Sequence, residues 1–157
     1  MTNEPALRQQ LIELLEWHHA HVDLQSVLNK ISFDALGKKT PGSPYTIWEL
    51  LEHIRIAQAD IVSFSQSADY QSPPFPEGYW PEDRAPESDE EWQRAREGLM
   101  NDLEAMKRLV SDPERDLLAP IQHGDGQTLL REAVLLADHN AYHLGQIVLM
   151  LKMLKLW

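Results

Sequence analysis

The sequence predicts an all-α protein, a bundle of four helices with a long proline-rich loop between the second and third. Three observations carry this. Apolar residues recur at helical spacing in four long segments, with no strand-like alternation between them. Proline and glycine cluster at the breaks. Two of the segments open on capping signatures. At 157 residues and 43% hydrophobic, the chain reads as one globular domain over 1–157 with enough length to bury a core.

The first segment is expected to be helical from about Glu4 to Ile31, where Leu7, Leu11, Leu14, Leu15, His18, Val22, Gln25 and Leu28 fall near helical spacing. Pro5 suits a first turn. Gly37 to Pro44, with two prolines and two glycines, ends the segment. The second opens at Thr46-Ile47-Trp48-Glu49, a capping box, and runs through Leu50, His53, Ala57 and Ile61 to about Ser67. Tyr70 to Pro86 holds five prolines and Gly78 and cannot be a helix interior. Its aromatics, Tyr70, Phe75, Tyr79 and Trp80, suit either a surface strap or the wall of a site. Ser88-Asp89-Glu90-Glu91 reads as a second capping box, with acids favoured by the helix dipole. Its helix shows an inner stripe of Trp92, Ala95, Leu99, Leu103 and Met106, and Asp112-Pro113 ends it. A connector leads to the last segment, about Thr128 to Leu154, which is apolar over most of its circumference and so is expected to be buried on more than one side.

Composition removes several function classes. A net charge of −11 without a Lys/Arg cluster opposes binding to nucleic acid or to an anionic membrane. No run approaches the ~18 apolar residues of a membrane span. The stretch Met1 to Pro5 lacks a signal-peptide pattern, so a cytoplasmic location is expected. The absence of cysteine excludes disulfides, thiolate ligands and a cysteine nucleophile. Any thiol chemistry needs a thiol from outside.

The histidines are the chemically informative residues. His139 and His143, four apart on the last helix, stack on one face and can share a divalent ion. At ~100° per residue, Glu132, Leu136, His139, His143 and Met150 lie roughly along one line, which is otherwise core-facing. On the second helix Thr46, Leu50, His53, Ala57, Asp60 and Phe64 form one stripe, so His53 also faces inward or onto a seam. Two ligands from one helix and one from another is a common construction inside bundles, and three protein ligands leave positions open for water or substrate. Residue 140 is Asn, so the general base of an H-E-x-x-H peptidase is missing. Asp138, Asp60 and Glu132 are candidates to accept from imidazole N–H groups, and Gln146 to hydrogen-bond near the site. Gly145 leaves room for another helix backbone. His18 and His21 are candidates for the site's wall or for a second site, whereas His123 is expected at the surface. Trp48, Trp80 and Tyr142 are candidate wall residues.

The stretch from Leu135 to Ile147, with D-H-N-A-Y-H-L-G-Q-I at its core, resembles the final-helix signature of the DinB-like (DinB/YfiT-like) superfamily, and Tyr45 to Ile54 resembles its second-helix signature. The resemblance implies a four-helix bundle in which His53, His139 and His143 bind a divalent metal, zinc or nickel. It implies an enzyme that activates a low-molecular-weight thiol such as bacillithiol, mycothiol or glutathione in an S-transferase-like reaction, or that activates water. The 70–86 loop is longer and more proline-rich than the family pattern. The alternative is a non-catalytic metal-binding or stress-response protein; a third reading leaves the histidines as core residues. The apolar excess on the last helix and the tail from Met150 to Trp157 point to a homodimer.

Overall fold

Capped, apolar-striped segments become the helices of a computed structural model that describes residues 3–16 and 20–157. The helices are α1 (Glu4–Glu16), α2 (Leu24–Leu28), α3 (Ile47–Gln66), α4 (Asp89–Ser111) and α5 (Leu129–Met153), with single 3-10 turns at Phe33–Ala35 and Glu77–Tyr79. Among the described residues there is no strand, only an isolated bridge between Pro120 and Thr128. None of their helices is long and apolar enough to cross a membrane.

The start of α3 follows the sequence expectation. The Thr46 hydroxyl accepts from the Glu49 N–H at 3.1 Å, and the Glu49 carboxylate accepts from the Thr46 N–H at 2.7 Å. The start of α4 corrects it. Ser88 accepts from the Glu91 N–H, but the Glu91 carboxylate turns to the N–H of Glu87, so the box is only half formed. The single helix expected to reach Ile31 is interrupted. Ala20 to Asp23 leave the helix, and Asp23 starts α2 by accepting from the Ser26 N–H at 2.8 Å. An aspartate competes with the helical backbone and favours an N-cap over a helix interior. The expectation placed on His18 lies outside the described residues.

The long helices α3 and α5 pack on each other; α3 also packs on α4, and α1 packs on both α4 and α5. Their inner stripes meet in one continuous cluster that includes Leu15, Leu51, Ile54, Trp92, Leu99, Met106, Leu136 and Ile147, each no more than 2% exposed. Each such side chain contributes about 1.5–3 kcal/mol through burial. Arg8 is buried because it works at the far end of α4: its Nη1 donates to the Val110 carbonyl at 2.6 Å. A cation at a helix C-terminus satisfies an orphan carbonyl and suits the dipole.

The segment after α3 crosses back over that helix as a strap. Gly78 permits its tight course, since a Cβ there would lie 2.8 Å from both Pro73 and Pro74. The Thr46 hydroxyl donates to the Arg84 carbonyl at 2.8 Å and pins the strap's far end. At the other end of α3, His123 is exposed as expected, with its Nε2 2.7 Å from the Phe64 carbonyl.

Candidate metal centre

His53 on α3 and His139 and His143 on α5 converge, with one ligand-type nitrogen from each all within 4.8 Å of one another. The Nε2 atoms of His53 and His139 are 3.1 Å apart. The other ring nitrogens fix the tautomers. His53 Nδ1 donates to the Tyr79 carbonyl at 2.7 Å, and His143 Nδ1 donates to Gln146 Oε1 at 2.8 Å. Both Nε2 atoms therefore carry lone pairs. With no ion, the short Nε2–Nε2 approach requires His139 to donate to His53. That leaves His139 Nδ1 as a buried acceptor, and no donor among the described residues reaches it.

Electrostatics keeps all three rings neutral. Burial lowers the His139 pKa from 6.5 to about 4, reinforced by His143 and His53. Burial also lowers His53, against the opposing bond to the Tyr79 carbonyl, and lowers His143, against the bond to Gln146. Neutral imidazole is the form that binds a metal. Four-coordinate zinc with Zn–N near 2.0–2.1 Å holds its nitrogens about 3.3 Å apart, close to the spacing already present between two of the three. The donor set fits a divalent ion. His53, His139 and His143 would hold such an ion through their Nε2 atoms, and the His139 proton would then sit on Nδ1, where the Oδ1 of neighbouring Asn140, unpartnered among the described residues, is an available acceptor.

The strap shapes the site. The Trp80 ring lies between Tyr45 at 4.2 Å and His53 at 4.0 Å, nearly parallel to both, and so fixes the plane of the His53 ring. Tyr79 spans two turns of α3: its carbonyl takes the His53 proton, and its hydroxyl donates to Asp60 Oδ2 at 2.7 Å. Burial and that bond push the Tyr79 phenol up to about 12, so it stays protonated and acts as a latch. Beside the histidines opens a cavity of about 610 Å³. Its walls come from Ala57, Ile61 and Leu135 on the helices and from Phe75, Pro76, Tyr79 and Trp80 on the strap, with Arg131 the cation among its lining residues.

The other site expectations divide. Gln146 does hydrogen-bond a histidine. Asp60 holds Tyr79 and reaches the imidazole only through that residue. Asp138 is exposed and acts on His139 only through its charge. Glu132 is buried but pairs with Arg131 at 2.5 Å. Trp80 lines the site, whereas Trp48 is core, edge-on to Trp92. Tyr142 is 66% exposed, edge-on to His143 at 4.8 Å. His21 is exposed, with its Nδ1 against the Val22 carbonyl, and lies outside the cluster. Among the described residues, nothing lies within 4 Å of where a Cβ at Gly145 would be.

Sequence reasoning missed a buried amide relay behind the histidines. Asn140 Nδ2 donates to Gln58 Oε1 at 2.6 Å, and Gln58 Nε2 donates to the Leu99 carbonyl at 2.6 Å. It ties α5, α3 and α4 together beside the site, and both side chains are at most 1% exposed. The available signal was an amide on an otherwise apolar face of each helix.

Comparison with known proteins adds one positive result. A family model described as the DinB superfamily matches residues 11–147, a span that contains all three histidines. No curated protein and no solved structure gives a match. With the match covering most of its length, the chain belongs to the DinB superfamily.

Proposed function

We propose that the protein is a metal-dependent enzyme of the four-helix-bundle type in which His53, His139 and His143 hold a divalent ion, zinc or nickel, next to a cavity that admits a small substrate. One observation carries the reading. Two of the three imidazoles spend their Nδ1–H on protein acceptors, which turns their Nε2 lone pairs toward a third Nε2 at the cavity's edge. Three neutral nitrogens gathered in this way have little use in a merely structural core. When bound, such an ion lowers the pKa of a coordinated thiol or water and makes it nucleophilic near neutral pH.

The chain's own residues supply positioning and shelter. Tyr79 and Gln146 hold two ligand rings by their N–H groups, and Trp80 holds the plane of one of them. Ala57, Ile61, Phe75, Pro76 and Leu135 give the cavity an apolar lining, which suits an electrophile with an apolar body. Without cysteine, the chain places no thiolate of its own in competition for the ion. The sulfur nucleophile of this proposal is therefore an external low-molecular-weight thiol.

The test is turnover by untagged protein reconstituted with zinc or nickel. Bacillithiol, mycothiol and glutathione are each offered with monochlorobimane or an epoxide, with and without metal. Metal-dependent thioether formation supports the proposal. Stoichiometric metal with no metal-dependent reaction of any thiol makes the protein a non-catalytic metal binder.

A further inference from the structure

The cavity beside the histidines has two unlike ends. One is the imidazole cluster. The other is Arg131, which stands eight residues before His139 on α5, about 12 Å along the helix axis. Leu135 lies midway between them, and Ala57, Ile61 and Pro76 complete an apolar passage. Phe75 on the strap also borders it and is 84% exposed, so a large apolar ring is left for a ligand to cover.

Arg131 is held in place yet keeps donors to offer. Its Nη1 donates to Oε1 of Glu132, whose side chain is 3% exposed, and this anchors the guanidinium. Among the described residues no acceptor is bonded to its Nε or Nη2. Those two atoms form an edge that matches the two oxygens of a carboxylate. The helix itself gives no reason for a cation here. Arg131 is the third residue of α5, its N–H is taken by the Thr128 cap, and the positive end of the helix dipole disfavours a cation in the first turn. Asp60 also lines the cavity, but its Oδ2 accepts from the Tyr79 hydroxyl and its Oδ1 is shut away from solvent. Glu132 offsets part of the guanidinium charge and leaves the Nε/Nη2 edge as the ionic donor the cavity presents to a ligand.

We infer that Arg131 determines the specificity of this cavity and that the substrate is an organic carboxylate with an apolar body, its acid group paired with the Nε/Nη2 edge of Arg131 and its far end beside His139. This deepens the proposed function and rests on its reading of the cavity as the substrate site. The carboxylate belongs to the electrophile, whose reactive carbon lies at the end of the molecule away from the acid. Leu135 and Phe75 flank the apolar body between those ends.

Calorimetric titration of the ion-free protein with phenylhexanoate, and with its primary amide as an uncharged isostere, tests this. Wild type is expected to bind the acid at least about tenfold more tightly than the amide at pH 7. Arg131→Gln is expected to erase that preference and leave the amide affinity unchanged. Arg131→Lys keeps a cation beside buried Glu132, which guards against misfolding, and is expected to retain only part of the preference, because an ammonium lacks the fork. Arg94→Gln makes the same charge change at an exposed residue lining a different cavity and is expected to bind like wild type. Leu135→Trp fills the passage and is expected to weaken both ligands. Equal affinity for acid and amide in wild type, or no detectable binding of the acid, overturns the inference. So does a preference that survives Arg131→Gln, or acid binding that survives Leu135→Trp. Glutathione titrated alongside separates the two carriers of a carboxylate: an Arg131→Gln variant that loses glutathione but not phenylhexanoate assigns the edge to the thiol and overturns the inference. The titrations need neither ion nor turnover, so they decide this subsite separately from the thiol chemistry.

Discussion

Acidification of the ion-free protein tests the histidine cluster without reference to its chemistry. The folded state holds His139 at a pKa of about 4 against an ordinary 6.5, so between those values the unfolded chain binds more protons at this position. The sign follows: the contribution to stability is complete above about 6.5, falls as pH drops through the window, and is fully lost below about 4. At pH 5 the two pKa values give a loss of roughly RT ln 30, or about 2 kcal/mol, as an upper figure for a ring with some residual exposure. His53 and His143 are shifted in the same direction and add to it. Urea unfolding followed by far-ultraviolet circular dichroism, with chelator present, measures the loss. Because carboxylates also titrate near pH 5, the informative quantity is the difference between wild type and His139→Asn. Wild type is expected to lose more stability than the variant between pH 7 and 5, by up to about 2 kcal/mol. Equal losses would refute the argument that burial and neighbouring histidines hold this ring neutral.

Two further outcomes follow from particular hydrogen bonds. Gln146→Leu deprives His143 Nδ1 of its acceptor, and a competition titration with a chromophoric chelator is expected to show metal affinity about 10–100-fold weaker with little change in thermal midpoint. Gln58→Leu leaves the Asn140 amide and the Leu99 carbonyl unpaired in the core, and urea unfolding is expected to show a loss of about 2–6 kcal/mol, from two orphaned groups at about 1–3 kcal/mol each.

Much of this site was legible in the sequence because helix geometry is rigid. The i, i+4 spacing of His139 and His143, on a line with Leu136 and Met150, already placed both rings on the inner face. The stripe through Leu50, His53 and Ala57 did the same for the third. Periodicity assigns a face to each helix but does not say which faces meet. The approach of residue 53 to residue 139, across 86 positions, was suggested by the inward stripe of the second helix and by how bundles build such sites, and the family resemblance strengthened it. Local competition hid the break in the first helix: Val22, Gln25 and Leu28 keep helical spacing, while Asp23 caps a new helix instead of continuing the old one. The strap's role was half visible. Its aromatic content suggested a wall, but that Tyr79 serves His53 with its carbonyl and Asp60 with its hydroxyl depends on a loop course that composition does not encode. Gly145 read as a place where another helix backbone could approach, and among the described residues nothing lies within 4 Å of where its Cβ would be.

The most direct measurement is metal stoichiometry and coordination in untagged protein and in single alanine variants at His53, His139 and His143. Elemental analysis and X-ray absorption on the zinc- or nickel-reconstituted protein are expected to give one ion per chain with three imidazole nitrogens in its shell, and each variant is expected to lose that binding while keeping its helical circular dichroism. Stoichiometric metal retained by the His53→Ala variant, or wild type holding less than about a tenth of an equivalent after reconstitution, would contradict the account.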